Sequence, residues 1–227
     1  VTDDIKLWAN FGADISDAAE FYGHANYAGK TVDGGFYFRN PNTRGSVYSS
    51  DGGATLLIGD LTPNDGIGCP TVTITDNVPD PTALGQVFND PNCFSFQEIF
   101  PGGFTPRFGG DVVDYSVVGG LRGELDNGLR WDASLGYGFN EVDFFINNTV
   151  NASLGPATPT NFDPGLYAQT DLNFNFDVSY AVSDQVNVAA GVEYRDEEFE
   201  IGIGQTESFE IGPLADQGFS AASNGFP

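Results

Sequence analysis

From residue 165 to 182 the chain alternates with a period of two. Leu166, Ala168, Thr170, Leu172, Phe174, Phe176, Val178, Tyr180 and Val182 hold the even positions, while Tyr167, Gln169, Asp171, Asn173, Asn175, Asp177 and Ser179 hold the odd ones. Period two sends successive side chains to opposite faces of an extended strand, so one face is apolar and the other wet. The run far exceeds the ~5 to 6 residues of an ordinary globular strand, and its Asp and Asn are disfavoured in a packed sandwich. A chain built on such segments is all-β, and each segment has one face that must meet something oily.

The same pattern recurs along the chain, giving strands at about 5–15, 21–30, 113–125, 129–139, 166–182 and 186–195. Ile5, Leu7, Ala9, Phe11, Ala13 and Ile15 share one face, as do Leu129, Trp131, Ala133, Leu135, Tyr137 and Phe139. Tight turns join the strands pairwise near residues 18, 127 and 184, and Asp126-Asn127-Gly128 is a strong hairpin signal. The connections at the other end are long: roughly 31–111, with its Pro/Gly/Asn-rich insertion at 40–110, then 140–164, then 196–227. Within the insertion, residues 55–58 and 71–74 are short apolar runs expected to make small hairpins outside the main sheet. Short turns at one end and long loops at the other predict a long antiparallel meander of outer-membrane-barrel type.

Charge narrows the partners. With 8 Lys and Arg against 32 Asp and Glu the net charge is −24, which repels phosphate backbones and excludes a nucleic-acid partner. An anionic lipid headgroup layer is an equally poor match. The 30 Gly and 14% aromatic content belong to turns and strands rather than to a disordered acidic tail. No stretch approaches the ~20 apolar residues of a membrane-spanning helix. Cys69 and Cys93 stand in Pro/Asn/Gly-rich surroundings and read as one loop disulfide in an oxidising compartment, with two unpaired thiols as the alternative.

Catalytic chemistry has little to build on: there is one histidine, and no nucleophile elbow, metalloprotease helix, phosphate loop or dinucleotide fingerprint. No catalytic residue and no cofactor is expected. His24, flanked by Tyr22 and Asn26 on a polar face, reads as lumen-facing or close to a loop. Asp196, Glu197, Glu198 and Glu200 are candidate ligands for a divalent cation bridging loops or polysaccharide; the plainer reading is a solvated extension of the strand. Residues 60–66 (DLTPNDG) fail as a calcium loop, because Gly sits at the seventh position and no Glu closes it. Tyr27, Tyr137, Phe139, Tyr180 and Tyr194, near the ends of apolar faces, suit an interfacial aromatic girdle. Asp171, Asp177, Glu193 and Arg195 are candidates to pair across strands or to line a solute path. Asn147-Asn148-Thr149 and Asn151-Ala152-Ser153 match glycosylation sequons.

The segments GLRGEL and GLRWDASLGYG, then NASLGPATPT, then AAGVEYRDEEFEI resemble the middle of the barrel of TonB-dependent outer-membrane receptors, and FYGHANYAGKTVDGGFYFRNPN resembles a strand rising into that family's first large surface loops. The resemblance implies an energy-coupled importer in the outer membrane, taking up chelated metals, cobalamin or oligosaccharides. Neither the family's plug domain nor its closing strand is evident. The chain is therefore expected to be an internal piece of a receptor, or a relative that reuses the piece, with the remainder of a larger barrel and the lipid bilayer as partners. The alternative is an extracellular protein that pairs with copies of itself through its strand edges. A small carbohydrate-binding sandwich is a third reading, supported by the aromatic-rich loops and opposed by the strand lengths.

Overall fold

The computed structural model describes residues 3–221 and 225. Among them the strands are β1 (Asp3–Ser16), β2 (Ala19–Gly35), β3 (Gly59–Asp60), β4 (Ile74–Thr75), β5 (Val78–Pro79), β6 (Cys93–Phe94), β7 (Arg107–Glu124), β8 (Leu129–Asn147), β9 (Asn161–Ser183) and β10 (Val186–Ile203), with one α-helix, α1 (Pro81–Asn89). The six long strands make one antiparallel meander in the order β1-β2-β7-β8-β9-β10, so the protein is all-β. β1 and β2 pair from Asp3↔Thr31 to Ser16↔Ala19, with a register shift between Asp14 and Ser16. At the β7–β8 turn, Gly128 takes φ +84, a left-handed value that glycine adopts without steric cost.

The strands run further than the alternation indicates. β8 continues to Asn147 where the pattern stops at 139, and β10 to Ile203 where it stops at 195. The ladder bonds through the backbone, so it persists where the side chains no longer alternate as before.

The described chain divides into two compact units. Unit one comprises Val1–Val32, Gly110–Asp143 and Leu166–Gly202; unit two comprises Asp33–Gly109, Phe144–Gly165 and Ile203–Pro227. Unit one is sheet alone. Unit two gathers the long connections into a folded body, which corrects the expectation of irregular loops. Its main core holds Val47, Tyr48, Phe94, Phe96, Phe104, Val150, Ala152, Leu214 and Phe219, drawn from all three connections. A second cluster holds Leu56, Val72, Val87 and Cys93, against which Ile58, Ile74 and Leu84 pack. The two apolar runs expected to make small hairpins outside the main sheet pair with each other, Thr55 bridging Thr73 and the Leu56 amide donating to the Val72 carbonyl at 2.9 Å, and Ile74 opens the small β4–β5 hairpin.

Helix α1 lies inside the insertion read as loop. Asp80 caps it, its carboxylate accepting from the Thr82 and Ala83 amides at 2.9 and 2.8 Å, and Pro81 opens it. Val87 is carried into the second cluster. The Asp-Pro start and the apolar spacing of Ala83, Leu84 and Val87 are legible in the sequence, though the surrounding Pro, Gly and Asn obscure them.

Candidate functional site

Every hydrophobic side chain buried among the described residues belongs to unit two. Unit one has an apolar face instead of a core. On β1 it carries Ile5, Leu7 and Phe11; on β7, Tyr115, Val117 and Leu121; on β9, Leu172, Phe174 and Phe176; on β10, Val186, Val188 and Val192. All are exposed, Leu7 by 63% and Val192 by 64%. Contacts across strands confirm that these residues share one side: Phe11 meets Phe21 with ring centroids 5.9 Å apart, and Tyr115 meets Tyr137 and Phe139 at 6.3 and 5.2 Å. Tyr27, Tyr137, Phe139, Tyr180 and Tyr194 all lie on this side by strand periodicity, with Tyr180 at the turn end and the other four toward the loop ends.

The opposite face is a hydrogen-bonded polar layer. The Tyr22 hydroxyl donates to Asp132 at 2.6 Å, and Asp114 accepts from Asn26 and Asn140 at 3.3 and 3.1 Å. Arg122 pairs with Glu20 at 2.9 Å and Arg130 with Glu124 at 3.1 Å. Asn173 donates to Glu193 at 2.8 Å, and Arg195 pairs with Asp171 at 2.8 Å and also with Glu197. Three of the four residues proposed to pair across strands therefore do so. The fourth, Asp177, lines an open hollow of about 1110 Å³ at the turn end of unit one. Around the hollow stand Asp14, Asp17, Glu20, Glu124, Asp126, Asp132 and Asp177, against Arg122 and Arg130. His24 is on the polar side and stacks on Trp8 at 5.8 Å.

Toward the long connections the two sides exchange chemistry. Thr31 donates to Asp111 at 2.5 Å; both occupy odd positions, the parity that is apolar earlier in β2 and later in β7. β8 repeats the change with Glu141 and Asp143. On β10, Asp196, Glu198 and Glu200 continue the side of Val188 and Tyr194, while Phe199, Ile201 and Ile203 continue the side of Arg195. Tyr167 and Phe199 meet at 5.5 Å on that formerly polar side. The acidic quartet is thus split. Asp196, Glu198 and Glu200 face one way, and Glu197 faces the other, where it is engaged by Arg195. Among the described residues no group of three His, Cys, Asp or Glu is placed to hold a metal ion.

In unit two Cys69 and Cys93 form a disulfide with their Cα atoms 5.8 Å apart, tying the 60s segment to β6. The sequon residue Asn151 has no exposed surface, so it offers no attachment point for a glycan. Its carboxamide instead donates to the Glu207 and Glu210 carbonyls at 3.0 and 2.8 Å and accepts from the Ser153 hydroxyl at 2.7 Å. Ser153 then receives the Gly212 amide at 2.8 Å, and its own backbone pairs with Leu214 and Ser220. The Asp51 carboxylate accepts from the Thr55 amide at 3.0 Å and the Thr55 hydroxyl at 2.7 Å, from the Ser49 hydroxyl at 2.8 Å and from the Ala54 amide at 2.9 Å. Those bonds, led by the ones from Thr55, hold its pKa far below the usual carboxylate range. Burial pushes the Tyr48 phenol well above its ordinary value. Asn151 stands out in the sequence only as a sequon and Asp51 not at all, since each otherwise resembles the many other polar loop residues. Compared with protein-family models, curated proteins and solved structures, the chain gives no match.

Proposed function

We propose that this chain is part of an outer-membrane barrel of the TonB-dependent receptor type, serving uptake of a chelated metal, cobalamin or an oligosaccharide without enzymatic chemistry. One observation carries the reading: six long strands with a polar face and an apolar face and, among the described residues, no buried apolar side chain in the part of them that forms unit one. A soluble protein seldom leaves so much contiguous apolar surface in water. Hydrocarbon accepts the apolar side provided every backbone group is paired, as in a closed barrel. Four of the six apolar stretches fit the span: 21–29 and 186–194 are nine residues long, 5–15 and 129–139 eleven, while 113–125 and 166–182 run longer, against the ~9 to 11 residues of a tilted membrane strand. The type of receptor rests on the sequence resemblance, and the substrate classes follow from it.

A second reading draws on the edges. β1 and β10 are the outer strands of the sheet, and β10 is exposed over nearly its whole length. Pairing of such edges between copies would build a secreted oligomer or fibre.

The two tryptophans separate these readings, because Trp131 lies on the apolar side and Trp8 on the polar side. In vesicles containing brominated lipid, the membrane reading expects quenching of Trp131 fluorescence in a Trp8→Phe variant, and little quenching of Trp8 in Trp131→Phe. Equal protection of both, together with filaments forming without detergent, defeats the membrane reading.

A further inference from the structure

The sequence contains six arginines. Arg107, Arg122, Arg130 and Arg195 each have a carboxylate partner. Arg39 and Arg44 have none among the described residues, although the chain carries 32 carboxylates. These two are gathered on a single side chain in unit two. The Arg39 guanidinium carbon lies 3.6 Å from the centroid of the Tyr37 ring and that of Arg44 lies 5.7 Å from it, while Arg44 Nη1 donates to the Tyr37 hydroxyl at 3.0 Å. Tyr37 is 63% exposed, and its neighbours Phe36 and Phe38 are exposed as well.

An uncompensated arginine pair runs against the field of a protein with net charge −24, and the pair does not satisfy itself. Among the described residues Arg39 Nη1 is buried without a hydrogen-bond partner, and Arg44 Nη1 donates to the Tyr37 hydroxyl rather than to a carboxylate. The phenol registers the local field. Burial raises its pKa, yet the charges and hydrogen bonds of Arg44 and Arg39 outweigh that effect and bring the value below the ordinary one. Guanidinium forks match planar oxyanions bidentately, and a ring beneath one of them fixes its plane.

We propose that Arg39 and Arg44, assembled on Tyr37, form a binding site for an oxyanion group, carboxylate or phosphate, carried by a ligand whose body rests on the exposed aromatic residues 36–38. The site does not depend on the receptor reading, since it belongs to unit two whichever partner the sheet has.

The test is titration of the full chain, in non-ionic detergent with the Cys69–Cys93 bond intact, against sodium benzoate and separately against inorganic phosphate. Arginine Nε–H resonances are followed by NMR, with sodium chloride as the ionic-strength control. Saturable shifts of the Arg39 and Arg44 signals are expected. Arg44→Gln should weaken binding by about tenfold or more, the scale of one lost charge-assisted hydrogen bond. Arg44→Lys, which keeps the charge and loses the fork, should fall between, and Lys30→Gln should bind as the parent does. Response to benzoate alone identifies a carboxylate ligand, and response to phosphate alone a phosphoryl one. Arg39→Gln should also lose binding; if it unfolds unit two, Arg44→Gln decides. No saturable shift with either anion, a shift that chloride reproduces, or full binding by Arg44→Gln overturns the proposal.

Discussion

Thr31 and Asp111 are hydrogen-bonded across β2 and β7 on the side of the sheet that Tyr27 and Tyr115 occupy, and that side changes from apolar to polar where they sit. The pair marks a boundary that β8 repeats at Glu141 and β10 at Asp196. A strand can change the chemistry of a face without changing its ladder, because backbone hydrogen bonds carry the pairing and side chains carry the environment. In the membrane reading this boundary is the outer rim of the hydrocarbon layer.

That reading makes the two sides unequal in their tolerance of charge. Leu121→Arg places a guanidinium on the apolar side within the 113–125 stretch and should cost about 2–4 kcal/mol of folding free energy in a bilayer. Ser134→Arg, on the polar side, should cost little. Urea titration of the folded fraction in lipid vesicles measures both, and equal costs would contradict a lipid-facing apolar side.

Removing the disulfide should loosen unit two selectively. The Cys69–Cys93 bond closes a loop with a sequence separation of 24, so the Cys69→Ser, Cys93→Ser double variant should lose about 3 kcal/mol. Loss of the buried Cys93 sulfur from the second cluster adds to this. Limited proteolysis of the 60–92 segment and near-ultraviolet dichroism of the aromatic core report the change.

Asn151→Ala strips two backbone carbonyls of their donor in a fully buried position, and an unmet buried group costs about 1–3 kcal/mol. The expected loss is about 2–4 kcal/mol, since the two defects are adjacent and share relaxation. Amide exchange at Gly212 and Leu214 should accelerate well before exchange in β7 or β8. Uniform acceleration throughout the chain would mean that Asn151 does not act locally.

Acid sensitivity at Asp51 should begin late. Its folded pKa is depressed, so its stabilising effect is complete above the unfolded value of ~3.9 and fades only as pH falls from there through the folded value. Exchange protection of the Ala54 and Thr55 amides should therefore hold from neutral pH to about 4 and weaken below it. In Asp51→Asn that protection should be reduced at every pH and should show no such transition.

Much of the sheet was legible in the chain. Period-two alternation located all six long strands, their three turns and the two unlike faces, because a side chain's face in a strand depends only on the parity of its position. Cys69 and Cys93 were legible as a loop disulfide from their surroundings. The fold of the long connections was not legible: Tyr48, Phe96, Val150 and Leu214 are separated by tens of residues, show no period, and meet only because three connections pack together. The acidic run at 196–200 allows a cation site or a solvated extension of the strand; the strand runs on through it to Ile203 and sends its members to opposite sides. The pairing of Arg39 and Arg44 on one ring likewise exists only in three dimensions. Local periodicity determines the environment each face of a strand seeks, while contacts between distant segments are settled by packing and by pairing buried polar groups, which no single stretch of sequence encodes.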